Sequence, residues 1–127
     1  MQLVLIRGLP GSGKSTIAKA MSGHAHYETD QYFCLNNNGE YRFNPSQLAS
    51  AHAWCLEQVK HSIQQRTPCV VSNTFTRAWE MQPYIDAAKA ANMPVHILHA
   101  QGMWQNSHGV PEEAIERMRQ RWEVITL

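Results

Sequence analysis

The feature that most narrows the folds open to this chain is Gly8-Leu9-Pro10-Gly11-Ser12-Gly13-Lys14-Ser15, set between an apolar run and a helical pattern. Leu3, Val4, Leu5 and Ile6 are continuously apolar and stop at Gly8 and Pro10, as a strand buried on both faces of a parallel sheet does. Residues 15–22 then place Ile17, Ala18 and Met21 at helical spacing before Gly23. Strand, glycine loop and helix in that order is the context a GxxxxGK[ST] phosphate loop requires. The competing reading is a structural turn with an exposed lysine. Glycines at 8, 11 and 13 permit positive φ and leave backbone amides unobstructed, so an anion can approach the main chain closely. Lys14 adds a point charge, Ser15 a hydroxyl for magnesium, and the helix its free amides. The pattern predicts that ATP with Mg2+ sits on Gly8, Leu9, Pro10, Gly11, Ser12, Gly13, Lys14, Ser15 and Thr16.

The remaining pattern alternates strands with helices. Residues 24–29 form a short, histidine-bearing second strand. Asn44, Pro45 and Gln47 give a helix start with an N-cap, a first-turn proline and a glutamine placed to close a capping box. Leu48, His52, Cys55, Leu56, Val59 and Ile63 fall on one stripe of that helix, which Pro68 ends; His52 reads there as a hydrogen-bonded core histidine. Residues 69–72 are a third buried strand, and residues 76–91 a helix that Pro83 must interrupt or restart. Residues 95–99 are a fourth strand. Pro111 opens a last helix with Ile115, Met118 and Trp122 on one face, and residues 124–127 are a candidate fifth strand. This order predicts a three-layer α/β fold: a short parallel sheet of four to five strands, joined by right-handed crossovers, with helices on both faces. The segments after Ile6, Thr29, Ser72 and Ala100 then gather at one edge.

Charge and size limit the partners. Residues 1–127 suffice for one domain and are too few for two. With 11 Lys plus Arg against 10 Asp plus Glu, the net charge of +1 provides no global basic field, so a nucleic acid has to be gripped locally. Cys34, Cys55 and Cys69 are widely spaced and read as free thiols of a reducing compartment. No apolar run is long enough to span a membrane and no secretory signal opens the chain, which gives a cytoplasmic expectation.

Asp30 follows the second strand and should overlook the phosphate loop, where a carboxylate can accept the proton of an attacking hydroxyl or help to hold magnesium; alone, it reads equally as the cap of a turn at residues 31–33. The motif of residues 8–16, Thr29-Asp30-Gln31-Tyr32-Phe33, Val70-Val71-Ser72-Asn73-Thr74 and Asn106-Ser107-His108-Gly109-Val110-Pro111 together resemble the small P-loop ATPases related to bacteriophage polynucleotide 5′-hydroxyl kinase. The resemblance spans nearly the whole chain. It implies a P-loop kinase-like domain in which Asp30 is general base and residues 101–111 are a lid over the ATP phosphates. Two departures stand out. Asn73 occupies a position where the kinase has an acid, which leaves the metal to Ser15, Asp30 and water. The lid reads Trp104-Gln105-Asn106-Ser107 where the kinase has arginine, a group worth about 10³-fold or more over a γ-phosphate.

Arg117 and Arg121 are candidates to reach back to the phosphate, or else lie on a solvated helix face, with Glu113 placed to pair with Arg117; Arg119 reads as surface. Asn73, Thr74, Arg77, Trp104 and Asn106 are candidate substrate or lid residues. Trp104 is placed to stack on a base, while Arg77 reads first as surface and second as a contact to a substrate phosphate. Three functions follow: phosphoryl transfer to a polynucleotide 5′ hydroxyl, transfer to a small metabolite or nucleotide, and an ATP-binding switch with no acceptor.

Overall fold

The computed structural model describes residues 1–35, 39–101 and 110–124. Four parallel strands form the sheet: β1 (Leu3–Arg7), β2 (Ala25–Tyr27), β3 (Cys69–Asn73) and β4 (Val95–His99), in the order β2-β3-β1-β4. In register, Leu5 stands beside Val71 on one side and Ile97 on the other. Four helices connect or flank them: α1 (Lys14–Lys19), α2 (Leu48–Gln64), α3 (Ala78–Ala90) and α4 (Glu112–Gln120).

Alternation along the central strands divides the core in two. Leu3, Leu5, Cys69 and Val71 face α2 and α3, against Cys55, Val59, Ile63, Met81, Tyr84, Ile85 and Ala88. Val4, Ile6 and Val70 face the other way and pack on Ala18 of α1. Helices therefore cover both faces. β1 is buried along its full length because a strand lies on each side of it, while β4 at the edge leaves Leu98 42% exposed. The fourth strand, expected at residues 95–99, is an edge strand of the sheet.

Several boundaries differ from the sequence expectation, each for a local reason. β1 continues through Arg7, a charged residue that is only 3% exposed. The turn at residues 45–47 is 3₁₀: Asn44 caps it through the Ser46 amide at 3.1 Å, and the expected Gln47 bond of a capping box is replaced by this tighter closure. The buried stripe of α2 is Ala51, Cys55, Val59, Ser62 and Ile63, so His52 and Leu48 fall outside the core face. His52 is exposed and its Nδ1 lies 3.4 Å from Thr29 Oγ1. α3 runs through Pro83 without a break. Pro83 removes one helical bond, to Trp79, a residue 72% exposed at the first turn, where the loss is mild. Pro111 is the N-cap of α4 and not its first residue. The candidate fifth strand lies largely at residues 125–127, outside the described residues.

Candidate phosphate-binding site

β1 ends at Arg7 and the chain turns at once into the glycine loop, so the loop is anchored by the most buried strand of the sheet. Gly11 and Gly13 have φ of 82° and 90°, the left-handed conformations that the sequence pattern requires there. The Gly8 amide donates to the Thr74 carbonyl at 3.3 Å and the Ser12 amide to the Leu9 carbonyl at 3.0 Å. A Cβ on Gly8 would collide with Ser12 Oγ and come within 3.0 Å of the Ala100 carbonyl, so close packing holds this position to glycine. Ser12 Oγ is buried and without a hydrogen-bond partner among the described residues. A buried hydroxyl left open beside a glycine nest suits an anion that brings acceptor oxygens.

Two carboxylates stand at this edge, carried by the ends of β2 and the 3₁₀ segment Thr29–Cys34. Glu28 Oε2 accepts from Ser15 Oγ at 2.7 Å and from Ser72 Oγ at 2.8 Å. Because Ser72 spends its one proton on Glu28, its oxygen accepts from His26 Nε2, 2.8 Å away. Burial pushes the Glu28 carboxyl up, but the bonds from His26, Ser15 and Ser72 outweigh it and bring the pKa down to about 2. Asp30 is held differently: Tyr41 donates its phenol proton to Oδ1 at 3.4 Å. Burial and the Asp30 charge push that phenol up to about 12, so it remains a donor. Lys14 is half-buried; desolvation lowers its pKa, and Asp30 and Glu28 offset part of the effect.

The donor set fits magnesium. Ser15 and Glu28 supply hard oxygens, and no group of three or more His, Cys, Asp or Glu side chains able to hold a metal occurs among the described residues. A cation that keeps most of its water and shares phosphate oxygens needs no larger protein cage. Glu28 was not singled out in the sequence; the signal was its place two residues before Asp30, between β2 and the 3₁₀ segment.

The other candidate residues divide. Asn73 Oδ1 accepts from the Thr29 amide at 2.8 Å, so it fastens β3 to the segment carrying Asp30. Thr74 contributes its carbonyl to the Gly8 amide. Arg77 lies 3.7 Å from Glu123, and Arg121 donates from Nε to Thr76 Oγ1 at 3.3 Å, so both belong to the contact between the α3 start and the segment after α4. Arg119 pairs with Glu112 and Glu116 on the α4 surface. Arg117 is exposed and no ion pair joins it to Glu113 among the described residues. Trp104 and Asn106, with residues 102–109 of the expected lid, lie outside the described residues.

Sequence reasoning also passed over Arg7. Its Nε donates to the Phe75 carbonyl at 3.0 Å and Nη2 to the Thr76 carbonyl at 3.2 Å, while the guanidinium lies 4.0 Å over the Trp122 ring. Burial lowers its pKa, and Glu123 and Glu80 act against that. The Phe75 carbonyl it holds belongs to a buried residue with φ of 48°, an unfavourable value for a side chain of this size. One buried cation thus braces the loop that touches the phosphate cradle.

A parallel sheet with helices on both faces and a glycine cradle leading from its buried strand is the three-layer α/β P-loop fold, shared with kinases of solved structure. Residues 3–106 match the family model described as AAA domain, and the chain belongs to that family. It is 33% identical over 135 aligned residues to human NEDD4-binding protein 2; the match takes in 95% of this chain, which spans only 8% of that protein's length. Solved structures of similar fold include a chain of the Pnkp1/Rnl/Hen1 RNA repair complex, with TM-score 0.62, 19% identity and coverage of 98% of this chain and 40% of that one. A gluconokinase from Sinorhizobium meliloti 1021 aligns with TM-score 0.66 at 16% identity over 97% of this chain and 75% of its own. The Mycobacterium tuberculosis APS kinase CysC in complex with AMPPNP and APS gives 0.53 at 19% identity over 91% and 66%. Among the described residues no helix is long and apolar enough to cross a membrane.

Proposed function

We propose that this chain transfers the γ-phosphoryl group of ATP, with magnesium, to the 5′ hydroxyl of a polynucleotide. The observation that carries the reading is the pair of carboxylates at one sheet edge: Glu28 bound to Ser15, and Asp30 held by the Tyr41 hydroxyl. The backbone of residues 8–15 and Lys14 take the phosphates, and Ser15 and Glu28 the metal side. Magnesium, when bound, neutralises phosphate charge and orients the transferred group. Asp30, which the sequence left with both a metal and a base role, takes the base role in this reading. It takes the proton of the substrate hydroxyl as that oxygen bonds to the γ-phosphorus; the bond from the γ-phosphorus to its bridging oxygen breaks and ADP leaves.

The four sequence segments that resemble the polynucleotide kinase, and the fold shared with the RNA repair complex, support a polynucleotide acceptor. Net charge of +1 and the fold shared with gluconokinase and APS kinase support a second reading, a small-molecule acceptor. Incubation with γ-labelled ATP and magnesium, offering a 5′-hydroxyl oligonucleotide and a panel of nucleosides and sugars in separate tubes, tests both. Label on the oligonucleotide is the expected result. Label on a panel compound alone overturns the polynucleotide reading, and release of phosphate in every tube at one rate points to the acceptor-free switch.

A further inference from the structure

Aromatic side chains concentrate on one side of Asp30. Phe33, 2% exposed, is the hub: Tyr32 meets it edge-on at 5.6 Å, Tyr41 at 6.2 Å and Phe43 at 5.2 Å, while Trp54 leans on Tyr32 at 6.2 Å. The Arg42 amide donates to the Phe33 carbonyl at 3.1 Å, pinning the Tyr41-Arg42-Phe43 stretch to the 3₁₀ segment. Tyr41 and Phe43, two residues apart, both meet Phe33, as alternate side chains of an extended stretch do. Burial would explain this cluster if it were closed. It is not: Phe43 stays 51% exposed although it is packed on the buried hub, and Leu48 at the start of α2 is 41% exposed. A fixed aromatic ring with an open side is what a stacking contact needs, because its orientation is settled before the ligand arrives.

The opposite end of the same wall is chemical. Tyr41, which touches Phe33 through its ring, gives its hydroxyl to Asp30, so the aromatic surface begins at the carboxylate assigned to the acceptor hydroxyl and runs outward to Phe43. A nucleobase has a planar face to lay against such a wall. Arg42, between the two aromatics in sequence, is two-thirds exposed and lies 3.3 Å from Glu40. An aromatic platform with a cation next to it in the chain is a local grip suited to single-stranded nucleic acid in a chain of near-zero net charge.

We infer that Phe43, supported by Phe33 and Tyr41, is the stacking platform for the terminal base of the single-stranded polynucleotide whose 5′ hydroxyl is presented to Asp30. This rests on the proposed function and specifies how its acceptor is held. The platform reads the face of a base and not its edge, so it tolerates any sequence and discriminates against an end that lacks a base.

The test uses the full chain and oligonucleotides carrying 2-aminopurine, whose fluorescence falls on stacking, at the first or the fifth position, together with an oligonucleotide abasic at its 5′ end. Wild type should quench the first-position probe and leave the fifth bright, and should bind the abasic end about fivefold or more weakly by anisotropy. Phe43→Leu keeps an apolar side chain without the ring; it should restore the fluorescence and bind intact and abasic ends alike, and Phe43→Trp should recover both effects. Unchanged quenching or unchanged preference in Phe43→Leu overturns the platform. Phosphorylation of the oligonucleotide, followed in parallel, separates the two ideas: label transferred without base preference refutes only the platform, while no binding and no label on any oligonucleotide refutes the acceptor as well.

Discussion

Lys14 is the residue whose removal should be felt first. Lys14→Ala loses charge-assisted bonds to phosphate worth about 1.5–3 kcal/mol, so ATP affinity by calorimetry should fall about tenfold or more with no loss of fold; unchanged affinity would remove the loop from the account. Glu28 gives a pH signature. Its folded pKa of about 2 lies below the ordinary carboxyl value of 4.5, so its contribution is full above the higher value and disappears as pH falls through the lower one. The shift corresponds to on the order of 3 kcal/mol. Urea melts in magnesium-free buffer should therefore find Glu28→Gln less stable than wild type near about pH 6, with the gap narrowing towards about pH 3.5. A gap of constant size across that range would mean that the hydrogen bonds from Ser15, Ser72 and His26 do not depress the carboxyl. The glycines and Lys14 were legible in the sequence because their motif encodes backbone conformation, and Gly11 and Gly13 adopt it. Glu28 was not, since its partners Ser15 and Ser72 come from other elements and only the sheet order brings them together.

Among the elements, the existence of each strand and helix could be read from period and punctuation, and the errors came from neighbours that one sequence does not reveal. The position of β4 at an edge follows from the sheet order, which its sequence alone does not give. His52 sits on a good apolar stripe, but α2 is rotated so that Ala51 and Cys55 face the sheet. Pro83 spares α3 because a proline near the first turn costs one bond at an exposed residue. Asn73 carries the testable element-level link, since its side chain joins β3 to the segment bearing Asp30 through the Thr29 amide. Asn73→Ala should cost about 1–2 kcal/mol of stability in denaturant melts and lower kcat with little change in ATP affinity, because the base and not the cradle loses its support. A change in ATP affinity equal to that in kcat would count against this assignment.

Across the whole molecule, a buried cation ties three distant parts of the chain together. Arg7 at the end of β1 holds the Phe75 and Thr76 carbonyls and lies under Trp122, while Glu123 accepts from the Ala78 amide at 2.6 Å and its own amide donates to the Thr76 carbonyl at 2.7 Å. Arg7→Met should leave the Phe75 carbonyl without its donor and the Thr76 carbonyl with the Glu123 amide alone, and lower stability by about 2–5 kcal/mol, with Trp122 fluorescence reporting release of the segment after α4; Trp122→Phe should cost less because a ring remains. A melting temperature unchanged in Arg7→Met would show that the brace contributes nothing. The central claim, transfer to a 5′ hydroxyl with Asp30 as base, is tested most directly by single-turnover transfer of label from γ-labelled ATP, with saturating magnesium, to one oligonucleotide bearing either a 5′ hydroxyl or a 5′ phosphate. Label should appear only on the 5′-hydroxyl strand, at a rate that Asp30→Asn lowers about 100-fold or more while ATP affinity is kept. Equal rates in wild type and Asp30→Asn, or no label on the hydroxyl strand while ATP is bound and hydrolysed, would contradict it.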